Sequence, residues 1–529
     1  MAITTRNRLS GLTMHGATFI RLDTLADDDA RTLLMRHLPN HAARVESAAM
    51  ATLVQRCAGL PLALAIVGAR TADHPEFPLS HLAHELQEEA TGLSAFDAGD
   101  ASADLRAVLS WSSASLDDDE SRAFRLLGTA PVSGIGTAAA ACMLSVSADR
   151  ASQLLRGLEG KNLVRQDKPK RFHMHDLVRQ HAGELAAATD SLSTRASALR
   201  RLVSFYAHTA RSADHLLYPF RFAPNLPGLT PGCQPQHLEN EAAALAWFSE
   251  EHQQLHAVQR FAAHEGWWDF VWHLAHALDT YQYRMSFLTD NVASSRLGVT
   301  ATENLATPAL QASSLRQLGR AYTRADELAK AQSCLEQALQ IEVETGNTIG
   351  QAHTHHDLQR VLSFLGDHQA ALHHATTALD LYRAVQNPVG QAHALNAMGR
   401  QRAQLGQYEL AQQCSEAALA LHVEHRNHSG HLATLETLGY IAYRSGHRIA
   451  ALEHYTAALA VAHELHNRFA EAEIAERLAE VHEALGHRDG ARQSLEKAYD
   501  LYTGQHRARD AERVREQLDH LQERPSADR

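Results

Sequence analysis

His353 and His356 lie one helical turn apart, a spacing at which two imidazoles can share a metal ion. The 36 histidines are spread over the whole chain. Solvated histidines on helix surfaces are therefore the preferred reading, and no metal site is expected. Gly157-Leu158-Glu159-Gly160-Lys161-Asn162 imitates a phosphate-binding loop. It ends in Asn rather than Ser or Thr and falls at a helix end rather than after a strand. Leu116-Asp117-Asp118-Asp119 follows a polar stretch and reads as a helix cap, not as a magnesium-binding strand end. No nucleophile, base and oxyanion set stands at a recognisable spacing, so no catalytic activity is expected. His175 precedes Asp176 where a helix is predicted to start. Aspartate at such a start caps free N–H groups, and an imidazole there can donate to a phosphate oxygen at an anion-favouring helix end. Taken alone, a packing histidine is the simpler reading. Lys161, Arg165, Lys168, Lys170 and Arg171 form a local basic cluster, which is a candidate DNA contact.

The elements that position these residues are mostly helices. From about position 310 the chain repeats itself through five copies, at the interval that separates Ala331 from Ala371. Ala331, Ala371, Ala411, Ala451 and Ala491 share one phase, and Ala338, Ala378, Ala418, Ala458 and Ala498 share another. Gly366, Gly406, Gly446 and Gly486 mark a third phase, and Asn347, Asn387, Asn427 and Asn467 a fourth. Such a period is the mark of a solenoid, whose units bury their apolar faces only against one another. Ala511, Val514, Leu518 and Leu521 predict a further helix covering the open end, followed by a disordered tail.

Upstream, Gly59 sits where a left-handed C-cap is wanted, and Pro61 occupies the first turn of the next helix. Helices are predicted near Asp117, after Gly136, over 147–159 and from Asp176. Leu163-Val164-Arg165, a turn at Asp167–Lys170, and Arg171-Phe172-His173 predict a β-hairpin. The first three of these helices and the hairpin make a winged-helix pattern. Five prolines over 219–237 predict an extended loop, and Trp267, Trp268, Phe270 and Trp272 are read as core.

Composition narrows the function classes. A net charge of −12 argues against general nucleic-acid affinity and leaves only a local patch. Five widely separated cysteines, without CxxC spacing, predict buried reduced thiols in a cytoplasmic protein. No signal-peptide core follows Met1, and no apolar run is long enough to span a bilayer, so no membrane partner is expected.

Leu318-Gly319, Tyr322, Ala331, Leu335 and Ala338 resemble the tetratricopeptide family's Leu-Gly, aromatic, Ala, large-apolar and Ala positions. Gly319, Gly399, Gly439 and Ala479 allow close helix approach, whereas Gln359 departs and predicts looser packing in its unit. The resemblance implies a groove lined by the first helix of each unit. Its rows would read Arg320, Arg360, Arg400, Tyr440, Glu480 and, one turn earlier, Arg316, His356, Asn396, Glu436, Glu476. The arginines either form an anion-binding ladder for a protein or peptide partner, or are solvated or paired with neighbouring copies.

Residues 1–190 resemble the NB-ARC family of STAND signalling NTPases. Thr4-Thr5-Arg6 resembles the sensor-arginine segment, Gly59-Leu60-Pro61-Leu62-Ala63 the GLPLA motif, and Met174-His175-Asp176 the MHD motif. The order of motifs followed by repeats is most similar to AfsR-type regulators. The resemblance implies a mainly α chain with five parts. Residues 1–90 would be an NB-ARC remnant and 102–190 a winged-helix domain. A helical linker with degenerate repeats over 191–309, the tetratricopeptide solenoid over 310–505 and a cap with tail over 506–529 would follow. It also implies roles for Arg6, Pro61 and His175 towards ADP or ATP, the His175 role being favoured by the order of the motifs. The Walker loop is missing from this sequence, so these roles require an upstream NTPase core. The expected function is a regulatory interaction module in transcriptional control, partnered by a peptide or protein, by the NTPase core or by itself. The alternatives are a DNA-binding winged helix and a free-standing repeat adaptor.

Overall fold

The computed structural model describes residues 24–37, 47–57, 59–73, 78–87, 109–110, 113–219, 226–505 and 507–523. Arg6 lies outside them. The chain divides into two compact units. One holds residues 1–209, 228–237 and 253–258, and the other residues 210–227, 238–252 and 259–529. Among the described residues no helix is long and apolar enough to cross a membrane.

The first unit begins with α1 (Asp27–His37), α2 (Ser47–Cys57), α3 (Pro61–Asp73) and α4 (Leu79–Gln87) around a core that includes Leu34, Leu53, Leu64 and Val67. Gly59 has φ +71°, and a Cβ there would meet the Leu25 carbonyl at 2.4 Å. Only glycine satisfies both demands. Next come α5 (Asp118–Gly128), β1 (Gly134–Gly136), α6 (Thr137–Leu144), α7 (Ala148–Gly160), β2 (Arg165–Lys168), β3 (Arg171–His173) and α8 (Asp176–Thr189). Asp117 caps α5 in a reciprocal capping box with Glu120. The strands form an antiparallel sheet of order β1-β3-β2. The hairpin β2–β3 was legible in sequence; β1 was not, because Gly-Ile-Gly has no strand pattern and exists as a strand only through pairing with β3.

Cys142 and Cys233 form a disulfide with Cα atoms 4.7 Å apart. This corrects the expectation of reduced thiols throughout. The two cysteines stand 91 positions apart, a pairing that sequence spacing does not reveal.

The second unit is a helical stack. After α9 (Leu192–Leu217) and α10 (Glu241–His264), helices begin at a constant stride, first at Trp268, then at Leu288, then at Pro308. They are α11 (Trp268–Arg284), α12 (Leu288–Leu305), α13 (Pro308–Arg324), α14 (Leu328–Glu344), α15 (Thr348–Phe364), α16 (His368–Ala384) and α17 (Pro388–Gln404). They continue as α18 (Tyr408–Glu424), α19 (His428–Arg444), α20 (Arg448–Glu464), α21 (Arg468–Leu485), α22 (Arg488–Gly504) and α23 (Ala508–Glu523). Both alanine phases are fully buried in every copy from Ala331 to Ala498. Each of Asn347, Asn387, Asn427 and Asn467 caps the first helix of a unit, its side chain accepting from the backbone N–H three residues on. Phe270 and Trp272 are core residues, as the aromatic cluster suggested.

The regular stride starts one unit earlier than the sequence repeat. At α11 and α12 the phases of Gly319, Tyr322 and Ala331 are held by Asp279, Gln282 and Asn291, all buried. Asn291 donates to Asp279 at 3.1 Å and to Gln282 at 3.2 Å. A satisfied polar network replaces small-residue packing, so the repeat signature vanishes while the geometry persists. Gln359 is buried and accepts a hydrogen bond from Gln401. The residue at the phase of Leu335, which Gly319 approaches, is Ala375 in this unit. A smaller partner accompanies the larger residue, and looser packing does not follow.

The stack curls until its first unit meets its later ones. Arg284 donates to the Leu465 carbonyl at 3.2 Å, and the rings of Tyr283 and Phe469 lie 5.4 Å apart.

Candidate functional site: the inner cavity of the repeat stack

Helices α13, α15, α17, α19 and α21 stand side by side along the inside of the curl. With α11 and α23 they enclose a cavity of about 2360 Å³. Arg316, Arg320, His356, Arg360 and Arg400 line it; Tyr440 and Glu480 do not. Tyr440 instead lies beneath Arg400, 5.3 Å from its guanidinium, and Glu480 binds Arg477 at 2.7 Å. A third row went unread in the sequence: Ser313, His353, His393, Ala433 and Glu473 all line the cavity. They lie two turns before the residue following Leu-Gly, on the same helix face, and that offset is the signal that finds them.

The arginines differ in what surrounds them. Arg316 pairs at 3.0 Å with Glu342, which is buried on α14 and also accepts from Thr354 at 2.6 Å. Burial pushes the Glu342 carboxyl up, and Arg316 and Thr354 offset this only in part. Arg320 lies 3.4 Å from Asp279 and 3.3 Å from Asp357. Burial disfavours its charge, but the two carboxylates outweigh burial and raise its pKa. Arg324 also pairs with Asp279, at 3.2 Å, and stacks 4.2 Å over the ring of Tyr283. Arg400 approaches Glu436 only to 3.9 Å. Arg360 is exposed to the cavity and has no ion-pair or hydrogen-bond partner among the described residues.

The histidines of this face are not solvated surface groups, which corrects the sequence reading. His353 Nδ1 is 2.6 Å from the Tyr382 hydroxyl. Asn427 Nδ2 lies 3.3 Å from His393 Nε2 and 3.1 Å from His422 Nδ1, so both ring nitrogens accept. Burial holds His353 and His393 well below the usual range, lowers His356, and takes His422 down to about 4. The cluster is neutral at physiological pH.

The residues singled out in the first unit are arranged as follows. His175 is itself the cap of α8, its Nδ1 accepting from the Leu177 N–H at 3.3 Å. Asp176, expected to cap, is instead the first helical residue and pairs with Arg179 at 3.5 Å. Pro61 is exposed at the start of α3. In the basic cluster, Lys161 pairs with Glu120, and Arg165 pairs with Asp167 at 2.6 Å. Lys168 and Lys170 are exposed on the hairpin, and Arg171 is half-buried.

The tetratricopeptide repeat family model matches residues 310–384. Two curated relatives are similar over longer stretches. The regulatory protein AfsR of Streptomyces coelicolor is 33% identical over 275 residues, covering 49% of this chain and 26% of that protein. The regulatory protein AfsR of Streptomyces griseus is 28% identical over 397 residues, covering 72% and 39%. Among solved structures, a STAND protein with a tetratricopeptide repeat sensor from Pyrococcus horikoshii shows a likeness of fold alone. Its TM-score is 0.38 at 12% identity, covering 95% of this chain and 74% of that one. The chain spans less than half the length of the curated relatives it matches. The chain is thus similar to the AfsR regulatory proteins over part of their length, and its residues 310–384 match tetratricopeptide repeats.

Proposed function

We propose that this chain is the sensor and interaction part of an AfsR-type STAND regulator, and that its repeat cavity takes a peptide or an extended protein segment. The carrying observation is the cavity itself. At about 2360 Å³ it exceeds the roughly 300–1,000 Å³ of ordinary small-molecule sites. Its wall mixes aromatic rings, amides and charges of both signs, a surface suited to a main chain with varied side chains. In this reading ligand binding biases a switch that acts in cytoplasmic transcriptional control. Residues 1–90 serve as the NB-ARC remnant and 102–190 as the winged helix. Pro61 and His175 face ADP only when an NTPase core is joined to them; that core, or a second copy, is a further partner.

Ala433 lines the cavity and is exposed within it, so Ala433→Trp fills the space with little cost to folding. Synthetic peptides selected on the full chain are expected to bind this variant at least about tenfold more weakly, a loss of 1.4 kcal/mol or more. Equal binding, or no selection above background, overturns the reading.

The exposed Lys168 and Lys170 favour a second reading, in which the hairpin contacts DNA. It requires a duplex mobility shift that weakens with salt and disappears in Lys168→Glu/Lys170→Glu. Absence of a shift at low salt ends it.

A further inference from the structure

We propose that His252, His256 and Asp290 form a binding site for a divalent transition-metal ion, zinc by its donor set, which ties α10 to the first turn of α12. The site stands apart from the peptide reading above and does not depend on it.

Spacing supplies two of the donors. His252 and His256 lie four residues apart on α10, so their side chains leave the helix one above the other on one face. The helix runs unbroken from Glu241 to His264, and its neighbours hold it on both sides of His256. Before that residue, the His252 ring stacks on Phe287 at 4.6 Å and meets Tyr281 edge-on at 5.5 Å. After it, Gln259 donates to the Val271 and Ser294 carbonyls, each at 3.3 Å, and accepts from the Ser294 hydroxyl at 3.0 Å. The histidine pair is therefore presented in a fixed direction by a helix, not by a loop.

Tertiary packing supplies the third donor. Asp290 stands in the first turn of α12. Its Oδ2 lies 3.7 Å from His252 Nε2, and its side chain is 48% exposed. Among the described residues, these three each offer one ligand atom, and the three atoms all lie within 4.8 Å of one another. Zinc bonds of about 2.0–2.2 Å to nitrogen and oxygen in a tetrahedron set ligand atoms about 3.3–3.6 Å apart. The contact between His252 and Asp290 is already close to that spacing, and small side-chain rotations close the remainder.

The donor chemistry selects the ion. Two imidazoles and one carboxylate suit zinc, whereas magnesium and calcium favour sets made of oxygen alone. Three protein ligands leave a fourth position for water or for a donor atom of a partner. The simpler account is an ion pair between a protonated His252 and Asp290. That account gives His256 no part and predicts no metal affinity. The cavity histidines differ in their partners. His353 Nδ1 faces the Tyr382 hydroxyl, and His393 and His422 face the Asn427 amide, with no carboxylate in these contacts.

The test uses the full chain, stripped of metal with a chelator and titrated with zinc chloride by calorimetry. A step of one zinc per chain with a Kd of about 1 μM or tighter is expected, and excess magnesium should leave it in place. Asp290→Asn and His256→Gln should each weaken that step by more than the roughly tenfold to hundredfold that loss of an outer-sphere partner costs. The half-open position of Asp290 makes Asp290→Asn compatible with folding, which circular dichroism checks. Zinc should raise the melting temperature of wild type and leave that of Asp290→Asn unchanged. Zinc should also protect His252 and His256 from diethyl pyrocarbonate, as located by mass spectrometry. His355→Gln/His374→Gln removes another close imidazole pair and should leave the step intact. Absence of a zinc step, its displacement by equimolar magnesium or calcium, or full strength in either Asp290→Asn or His256→Gln overturns the site.

Discussion

Arg320 and Arg360 stand one repeat apart at the same phase, on neighbouring inner helices, yet their surroundings are opposite. Around Arg320 the packing is polar. Asp279 and Asp357 hold the guanidinium, and Asp279 also serves Arg324 and Asn291. Around Arg360 the buried neighbours are neutral, Gln359 and Gln401 among them, and the guanidinium faces the cavity without an ion-pair partner among the described residues. Repeat phase fixes the direction in which a side chain points. Whether its charge is available to a ligand depends on residues that other helices bring to it. The first region uses arginine to build the stack, and the second presents arginine to the interior.

The comparison breaks most visibly at Asp279. Asp279→Ala leaves Arg320 and Arg324 buried with less compensation, and loss of about 3–5 kcal/mol is expected in urea unfolding. A loss under about 1 kcal/mol on that scale would mean that the polar network does not hold this region. The small-residue region is probed at Gly430, where a Cβ would lie 2.3 Å from the His422 ring. Gly430→Ala should cost about 1–3 kcal/mol through overpacking, read as a lowered melting temperature. An unchanged melting temperature would show that the ring yields freely.

A pH series sharpens the contrast further. Burial holds His422 at about 4 in the folded state, against an ordinary value of 6.5. The unfolded chain therefore binds the proton more readily than the folded one. The histidine's contribution to stability is complete above about pH 6.5 and is lost as pH falls through 4. The expected loss from this group is on the order of 3 kcal/mol, and His422→Asn should flatten that part of the profile. An identical profile in the variant would remove His422 from the account. The smallest effect belongs to Arg360→Gln. With no partner to abandon, its stability should stay within about 0.5 kcal/mol of wild type. A large destabilisation would place Arg360 with Arg320 as a structural residue.

Much of the fold was legible before any coordinates. The repeat period, the buried alanine phases, the asparagine caps and the Gly59 turn follow from local rules, because backbone geometry and close packing act on residue size at fixed spacing. The inner helix face was legible in part, since Arg316, Arg320, His356, Arg360 and Arg400 share it. The unit over 268–305 was hidden because hydrogen-bonded Asp279, Gln282 and Asn291 replace the expected small and apolar residues. The strand Gly134–Gly136 and the Cys142–Cys233 disulfide were hidden because each requires a partner distant in sequence. The sequence by itself determined the repeat, its caps and the direction of its inner side chains, since these depend on spacing along one chain. Tertiary structure alone decided that Tyr440 and Glu480 leave the cavity wall, that His353, His356 and His393 are half-buried with lowered pKa, and that Arg320 is neutralised while Arg360 is not. Those outcomes depend on the curl of the stack, which sets burial and brings carboxylates from separate helices to some arginines and not to others.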